Sequence, residues 1–279
     1  MSDNKAPKAP VSPVKILIWT LLFIGAVVMM TPIIFMFSAS FKYNDQIYDL
    51  ALITSDMTLS NYSYLFENTE YFKWFINSIL VAIITTICVL FFDSLVGYTL
   101  AKFKFKGRKI IFIAILSTLM IPTEMLVIPW YILARDFGLL DSYIGLIFPG
   151  IMTGFGVFLM KQFFESVPDD YLDAARVDGV GEFQIFLKVA MPLVAPALSA
   201  LAIFTFLGNW TAFLWPLIVT SSAELYTVPV GLSSFSGEFQ SDWELIMTGA
   251  AVATLPTLLV FLFLQRYIIR GVILGGLKG

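Results

Sequence analysis

The stretch DYLDAARVDGVGEFQIFLKVAMPLVAP, residues 170–196, interrupts a chain that is otherwise largely apolar. For about two dozen residues it is polar or amphipathic, and the apolar run then resumes through Pro192 and Pro196. Pro168 suits a first helical position, where its missing N–H costs nothing. Asp169 and Asp170 follow in the first turn, where the helix dipole favours negative charge. Leu172, Ala174, Ala175 and Val177 give a small, smooth apolar surface, and Gly179 is a natural stop. The pattern predicts a helix of about 11 residues, about 16 Å long. Beyond Gly181, Phe183, Phe186 and Leu187 continue as a second amphipathic piece toward Pro192.

The surroundings of this helix are membrane-like. The 279 residues are 58% hydrophobic and 13% charged, with a mean hydropathy of +0.86, whereas a soluble domain carries roughly a quarter charged residues. A net charge of -3 gives no reason to expect nucleic-acid binding, which wants a basic patch or stripe. One cysteine, Cys88, rules out an intrachain disulfide. The absence of histidine removes His-based metal sites and every Ser–His or Cys–His catalytic arrangement. No metal-ligand cluster or nucleophile motif stands out, so an enzyme is not expected, nor a cofactor held by this chain. No Gly-Lys pair occurs, hence no P-loop. Any ATP that drives this protein is bound by another chain.

Six apolar runs reach the roughly 20 residues that a membrane-crossing helix needs, at about 16–38, 75–100, 110–133, 143–163, 193–219 and 246–268. The first follows Lys5, Lys8 and Lys15, but its apolar core is too long for a secretory signal and reads as a retained span. With the N-terminus inside, 14 of the 17 Lys and Arg residues fall on the inner side. Only Lys42, Lys73 and Arg135 lie outside, a strong positive-inside bias. The expected architecture is therefore all-α and membrane-integral: six transmembrane helices, both termini cytoplasmic, a tail 1–15 and a single domain 16–279. Outer loops cover 39–74 and 221–244. KFKFKGRK (102–109) is an inner turn, read as a topology anchor with anionic-lipid recruitment as the alternative. The opening helix lies inside, between the fourth and fifth spans.

Consecutive alanines let a helix enter a groove that bulkier side chains would block, with Asp173, Arg176 and Asp178 free to pair across the rim. An interfacial helix on the inner leaflet is the competing reading, but such helices carry a basic polar face and this one is mainly acidic. Two acids fall within the spans. Asp93 and Glu124 would each cost about 2.5–3.5 kcal/mol at the centre of a bilayer. Glu124 sits between Pro122 and Pro129, which favour a broken helix, and broken helices with acids commonly line a pathway. Asp93 is a second pathway candidate, or a partner for Lys102. Asn209 and Trp210 suit a sugar path, since indoles stack on pyranose rings and amides bond hydroxyls. Trp215 fits an interfacial belt better.

LDAARVDGVGEFQIFLKVAMPLVAP resembles the "EAA" signature of binding-protein-dependent ABC importers: Asp173-Ala174-Ala175, then Asp178-Gly179, then Pro192 and Pro196. Asp173 stands where that family usually has Glu. NSI (77–79), GYTLAKFKFKGRK (97–109), MIP (120–122), FGVFLMKQFFESVP (155–168), NWTAFLWPLI (209–218) and QRYIIRGVILGGLKG (265–279) extend the resemblance to the carbohydrate branch, nearest the second membrane subunit of maltose-type importers.

The resemblance implies a type I importer permease of the bacterial inner membrane, carrying a sugar or polyol. Its implied partners are a second homologous permease subunit, two ATPase subunits that hold ATP and Mg, an outer substrate-binding protein, and lipid. It further implies that 168–180 is a coupling helix in an ATPase cleft, contacting through Asp173, Ala174, Ala175, Arg176, Asp178 and Gly179. By the same likeness the tail 269–279, with Gly275, Gly276 and Lys278, enters the ATPase interface. The outer loop would meet the binding protein near Phe235, Ser236, Gly237 and Glu238. An ion-gradient-driven secondary transporter or channel subunit is the alternative. Such proteins usually show internal repeats and more spans, and would have no use for the inner polar helix.

Overall fold

The computed structural model describes residues 13–237 and 241–276, with side chains through Phe263. The described residues are helical throughout, apart from connecting turns and one isolated bridge, Ser236–Ser241. In chain order the helices are α1 (Pro13–Ala39), α2 (Ser60–Glu67), α3 (Tyr71–Lys102), α4 (Arg108–Thr118), α5 (Val127–Asp136), α6 (Tyr143–Ile147), α7 (Gly154–Ser166) and α8 (Asp169–Val177). They continue with α9 (Glu182–Ile185), α10 (Met191–Leu193), α11 (Ala195–Trp210), α12 (Leu214–Val219), α13 (Val228–Ser233) and α14 (Trp243–Gly276).

Helices α1, α3 and the 243–263 part of α14 are each long and apolar enough to cross a membrane, with hydropathies of 2.3, 2.6 and 2.1. Three bent pairs reach the same standard together: 108–118 with 123–136 at 96°, 143–150 with 154–166 at 49°, and 182–193 with 195–210 at 85°. Counting each pair as one span gives six.

The break expected between Pro122 and Pro129 is present. Pro122 takes an extended conformation (ψ 133°) after α4 has ended, and a short 3-10 turn, Thr123–Leu126, leads into α5. Two breaks were not expected. The run 143–163 is interrupted at 151–153, where the Thr153 N–H bonds to the Asp93 side chain, 60 residues away, and not to a helix carbonyl. The run 193–219 stops at Trp210 and restarts at Leu214. Pro216 cannot donate to the carbonyl of residue 212, which weakens a continuous helix at this point.

The tightest seam lies between α3 and α7. A Cβ on Gly97 would sit 2.8 Å from the Lys161 backbone N and 2.9 Å from Met160 Cβ, the close approach that small residues allow between membrane helices. At the end of α3 that leads to Lys102, Tyr98, Phe164, Phe186, Ile185 and Leu172 form one buried cluster. At its other end Tyr71, Trp74, Leu65 and Val228 form a second. In contrast, α1 is apolar on every side and leaves almost all its side chains exposed, so lipid or another chain must cover it.

Candidate functional site

Helix α8 begins one residue later than expected, with Pro168 as its N-cap. It ends in a Schellman arrangement: the Val180 N–H donates to the Ala175 carbonyl at 3.1 Å and the Gly179 N–H to that of Arg176 at 3.0 Å. Gly179 has φ +78°, a left-handed conformation in which glycine carries no Cβ penalty. The predicted stop is therefore in place.

The helix is divided between two faces. Leu172 and Ala175 are buried in the chain's own core, against the Tyr98–Phe164–Phe186 cluster. Tyr171, Asp173, Ala174, Val177 and Asp178 are exposed, Val177 at 87%. Of the two alanines in the motif, only Ala174 faces outward.

The charges around α8 also find partners within the chain. Arg176 Nε donates to Glu182 Oε1 at 2.6 Å and Nη2 to Oε2 at 3.3 Å, while Nη1 reaches Asp173 Oδ1 at 2.5 Å. Glu182, beyond the glycine turn, was not singled out from the sequence. The Arg176 guanidinium holds its carboxyl below the usual range, and the two acids push Arg176 up. At the start of α8, Lys102 Nζ donates to the Val167 carbonyl at 2.5 Å and to Asp169 Oδ1 at 2.6 Å. That contact lowers the Asp169 pKa and ties α8 to the end of α3. Lys102 is thus bonded to Asp169, and Asp93 is satisfied elsewhere.

Asp93 is fully buried. It accepts from the Thr153 N–H at 2.9 and 3.2 Å and from Thr153 Oγ1–H at 2.7 Å, at the N-terminus of α7. Trp210 is also buried. Its Nε1–H donates to the Ala253 carbonyl at 3.1 Å and its ring stacks on Phe206, which packs it between α11 and α14. Glu124 is exposed in the 3-10 turn.

Asn209 has a different setting. It lines a cavity of about 550 Å³ together with Thr118, Thr123, Trp130, Thr153 and Trp215, where the α4–α5, α6–α7 and α11–α12 breaks meet. Neither Asp93, Glu124 nor Trp210 lines this cavity. Trp215, read as a belt residue, is one of its walls.

In the loop before α14, Phe235 packs 5.7 Å from the Trp74 ring, which leaves Ser236 and Gly237 exposed at the tip. Glu238 lies outside the described residues. The loop is held down by Asn77 and Ser78 of the NSI stretch, and by Tyr143 and Asp141, for which the sequence indicated no role. Asn77 Nδ2 donates to the Glu224 and Tyr226 carbonyls at 2.7 and 2.9 Å, and Tyr143 Oη donates to Asn77 Oδ1 at 2.7 Å. Ser78 Oγ accepts from the Val228 N–H at 2.8 Å. Asp141 Oδ1 accepts from the Ser221 and Ser222 N–H groups at 2.9 and 3.0 Å, which lowers its pKa. Gly275 and Gly276 end α14, and Lys278 lies outside the described residues. Among the described residues no group of acids or cysteine could hold a metal.

Comparison with known proteins places the chain in a family and a fold. A family model described as "Binding-protein-dependent transport system inner membrane component" matches residues 93–274. The arabinooligosaccharides transport system permease protein AraQ of Bacillus subtilis is 43% identical over 224 residues, 80% of each chain. The AraQ of Halalkalibacterium halodurans is 37% identical over 273 residues, 95% of this chain and 98% of that protein. Among solved structures, a bacterial ABC transporter involved in import of the acidic polysaccharide alginate matches with a TM-score of 0.83 at 24% identity, over 94% of this chain and all of that one. That likeness concerns the fold.

Proposed function

Because the chain belongs to the family of binding-protein-dependent transport system inner membrane components, we propose that it forms one membrane half of an ATP-driven importer for a neutral carbohydrate in a bacterial inner membrane. Its partners in this reading are a second, homologous permease, two ATPase subunits that hold ATP and Mg, and a substrate-binding protein on the outer face. The relatives named for arabinooligosaccharides support a sugar as cargo.

The geometry of α8 carries the coupling part of the proposal. A lever between an ATPase and membrane helices must be stiff, anchored inward and smooth outward. The Schellman end and the Arg176 bonds supply the stiffness. Leu172 and Ala175, set in the core, and Lys102, bonded to Asp169, supply the anchor. Tyr171, Ala174 and Val177, at i, i+3 and i+6, form the outward face that an ATPase cleft would receive. A push on that face passes directly to α3 and α7. The bond that Arg176 donates to Asp173 gives the shorter acid a role inside the chain.

The test is purification of the assembled complex followed by ATP hydrolysis in the presence of sugar-loaded binding protein. Co-purification of ATPase subunits and stimulated hydrolysis are expected. Uptake driven by an ion gradient without ATPase subunits would overturn the proposal in favour of a secondary transporter.

A further inference from the structure

We propose that the inner turn 102–109 and the first turn of α4 form, together with Lys161 of α7, a binding site for the phosphate of an anionic membrane lipid. Such a site is independent of what the protein transports. It needs only a membrane chain with this turn on the inner side.

A cavity of about 550 Å³ is bordered by three cations, Arg108, Lys109 and Lys161, and by the apolar side chains of Phe105, Ile110 and Phe112. Among the described residues, the carboxylate that pairs with these cations is Glu165, whose Oε1 lies 2.6 Å from Lys161 Nζ and 3.4 Å from Arg108 Nη2. Asp169, the next acid along the chain, is taken by Lys102. Lys109 has no ion pair or hydrogen bond among the described residues. Three positive charges therefore share one negative charge around a space large enough for a small ligand.

One wall of this space is fixed. The Lys161 side chain is only 9% exposed, with Nζ 4.3 Å from the centre of the Phe112 ring, and its backbone abuts Gly97 in the α3–α7 seam. The start of α4 is also suited to an anion. Helices favour acids in the first turn, yet α4 has none there and carries Arg108 and Lys109 instead. Its N-cap, Gly107, has φ +86° and no side chain to offer the N–H groups that a helix start leaves free. Cations set against the helix dipole are a local conflict, which an anion in the cavity would remove.

The surroundings favour a lipid over a free phosphate. Helix α4 buries none of its residues, and Ile110 and Ile113 are 74% and 53% exposed. Acyl chains can lie along the same helix whose first turn holds the headgroup. Basic pockets between helices on the inner side of a membrane bind anionic headgroups in this way. A zwitterionic lipid would bring its own cation back beside these three, so the net charge of the headgroup discriminates.

The full chain, purified in detergent with the subunits it retains, is titrated with phosphatidylglycerol or phosphatidylcholine, and bound lipid is counted by native mass spectrometry. Wild type should bind one phosphatidylglycerol at least about 25-fold more tightly than phosphatidylcholine. Arg108→Gln with Lys109→Gln should remove that preference, since each charge near an anionic surface is worth about fivefold. Lys109→Gln alone, which breaks no bond among the described residues, should lose about fivefold. Lys104→Gln with Lys106→Gln removes two charges of the same turn that do not border the cavity, and should stay within about twofold of wild type. An equal loss in that control would reduce the effect to diffuse surface attraction and overturn the site, as would equal affinity of wild type for the two lipids. Displacement of bound phosphatidylglycerol by millimolar inorganic phosphate would make the occupant a free phosphate and overturn the lipid assignment. The titration contains neither nucleotide nor sugar, so its failure leaves the importer reading untouched.

Discussion

A single methyl group added at Gly156 should loosen the seam between α3 and α7. A Cβ there would overlap an oxygen of the Asp93 carboxyl and lie 2.8 Å from its Cγ and 2.9 Å from Thr153 Oγ1. The two helices are equally close further along, where a Cβ on Gly97 would lie 2.8 Å from the Lys161 backbone N. Asp93 must therefore move, and its bonds from the Thr153 N–H and Oγ1–H, at 2.9 and 2.7 Å, would break. Overpacking alone costs about 1–3 kcal/mol, and each lost hydrogen bond between membrane helices adds about 0.6 kcal/mol. The sum is roughly 2–4 kcal/mol for Gly156→Ala.

Asp93→Asn keeps an acceptor in place and should cost only about 1 kcal/mol. Asp93→Ala removes the obstruction, so the double variant Asp93→Ala with Gly156→Ala should be more stable than the two single costs added together, a coupling expected of touching residues. Denaturant unfolding of the purified complex in nanodiscs measures wild type and the four variants. Additive costs, or a Gly156→Ala variant within about 0.5 kcal/mol of wild type, would refute this account of the seam.

Breaking the Arg176–Glu182 pair with Glu182→Gln should cost about 0.5–1 kcal/mol, a modest figure because both side chains are about two-fifths exposed. Glu182 has a lowered pKa, so its contribution is complete above the ordinary 4.5 and is lost as pH falls through the folded value. Thermal melts on acidification should show that loss in wild type and not in the variant. Asn77→Leu frees the Glu224 and Tyr226 carbonyls; half-maximal stimulation of hydrolysis should then need several-fold more loaded binding protein, with basal hydrolysis unchanged.

Much of this was legible along the chain. The apolar runs are long, and hydropathy marks them without tertiary information. Pro122 and Pro129 announced a break because proline removes local donors. Gly179 announced a helix end because the stop needs a left-handed residue. The remainder depended on contacts distant in sequence. Nothing near Thr153 indicates that Asp93 will take its N–H, although Pro149-Gly150 was a local turn signal within the run. The choice of Ala175 as inward and Ala174 as outward depends on where Tyr98, Phe164 and Phe186 meet, and all three lie on other elements. Glu182 is separated from Arg176 by the glycine turn, so helix spacing could not pair them. Asn209 and Trp210 are adjacent and chemically suited to sugar, yet they face different neighbours, which only the packing of α11 on α14 decides.

The central claim is that α8 is the face through which an ATPase subunit drives the membrane helices, and Ala174→Arg tests it most directly. Ala174 is exposed and touches none of the core that Ala175 supports, so the variant should fold with wild-type stability. Stimulated ATP hydrolysis and co-purification of the ATPase subunits should be measured together for wild type and variant. The account predicts that the variant loses the stimulation and sheds its ATPase subunits. A variant that keeps both would contradict it and move the coupling surface elsewhere.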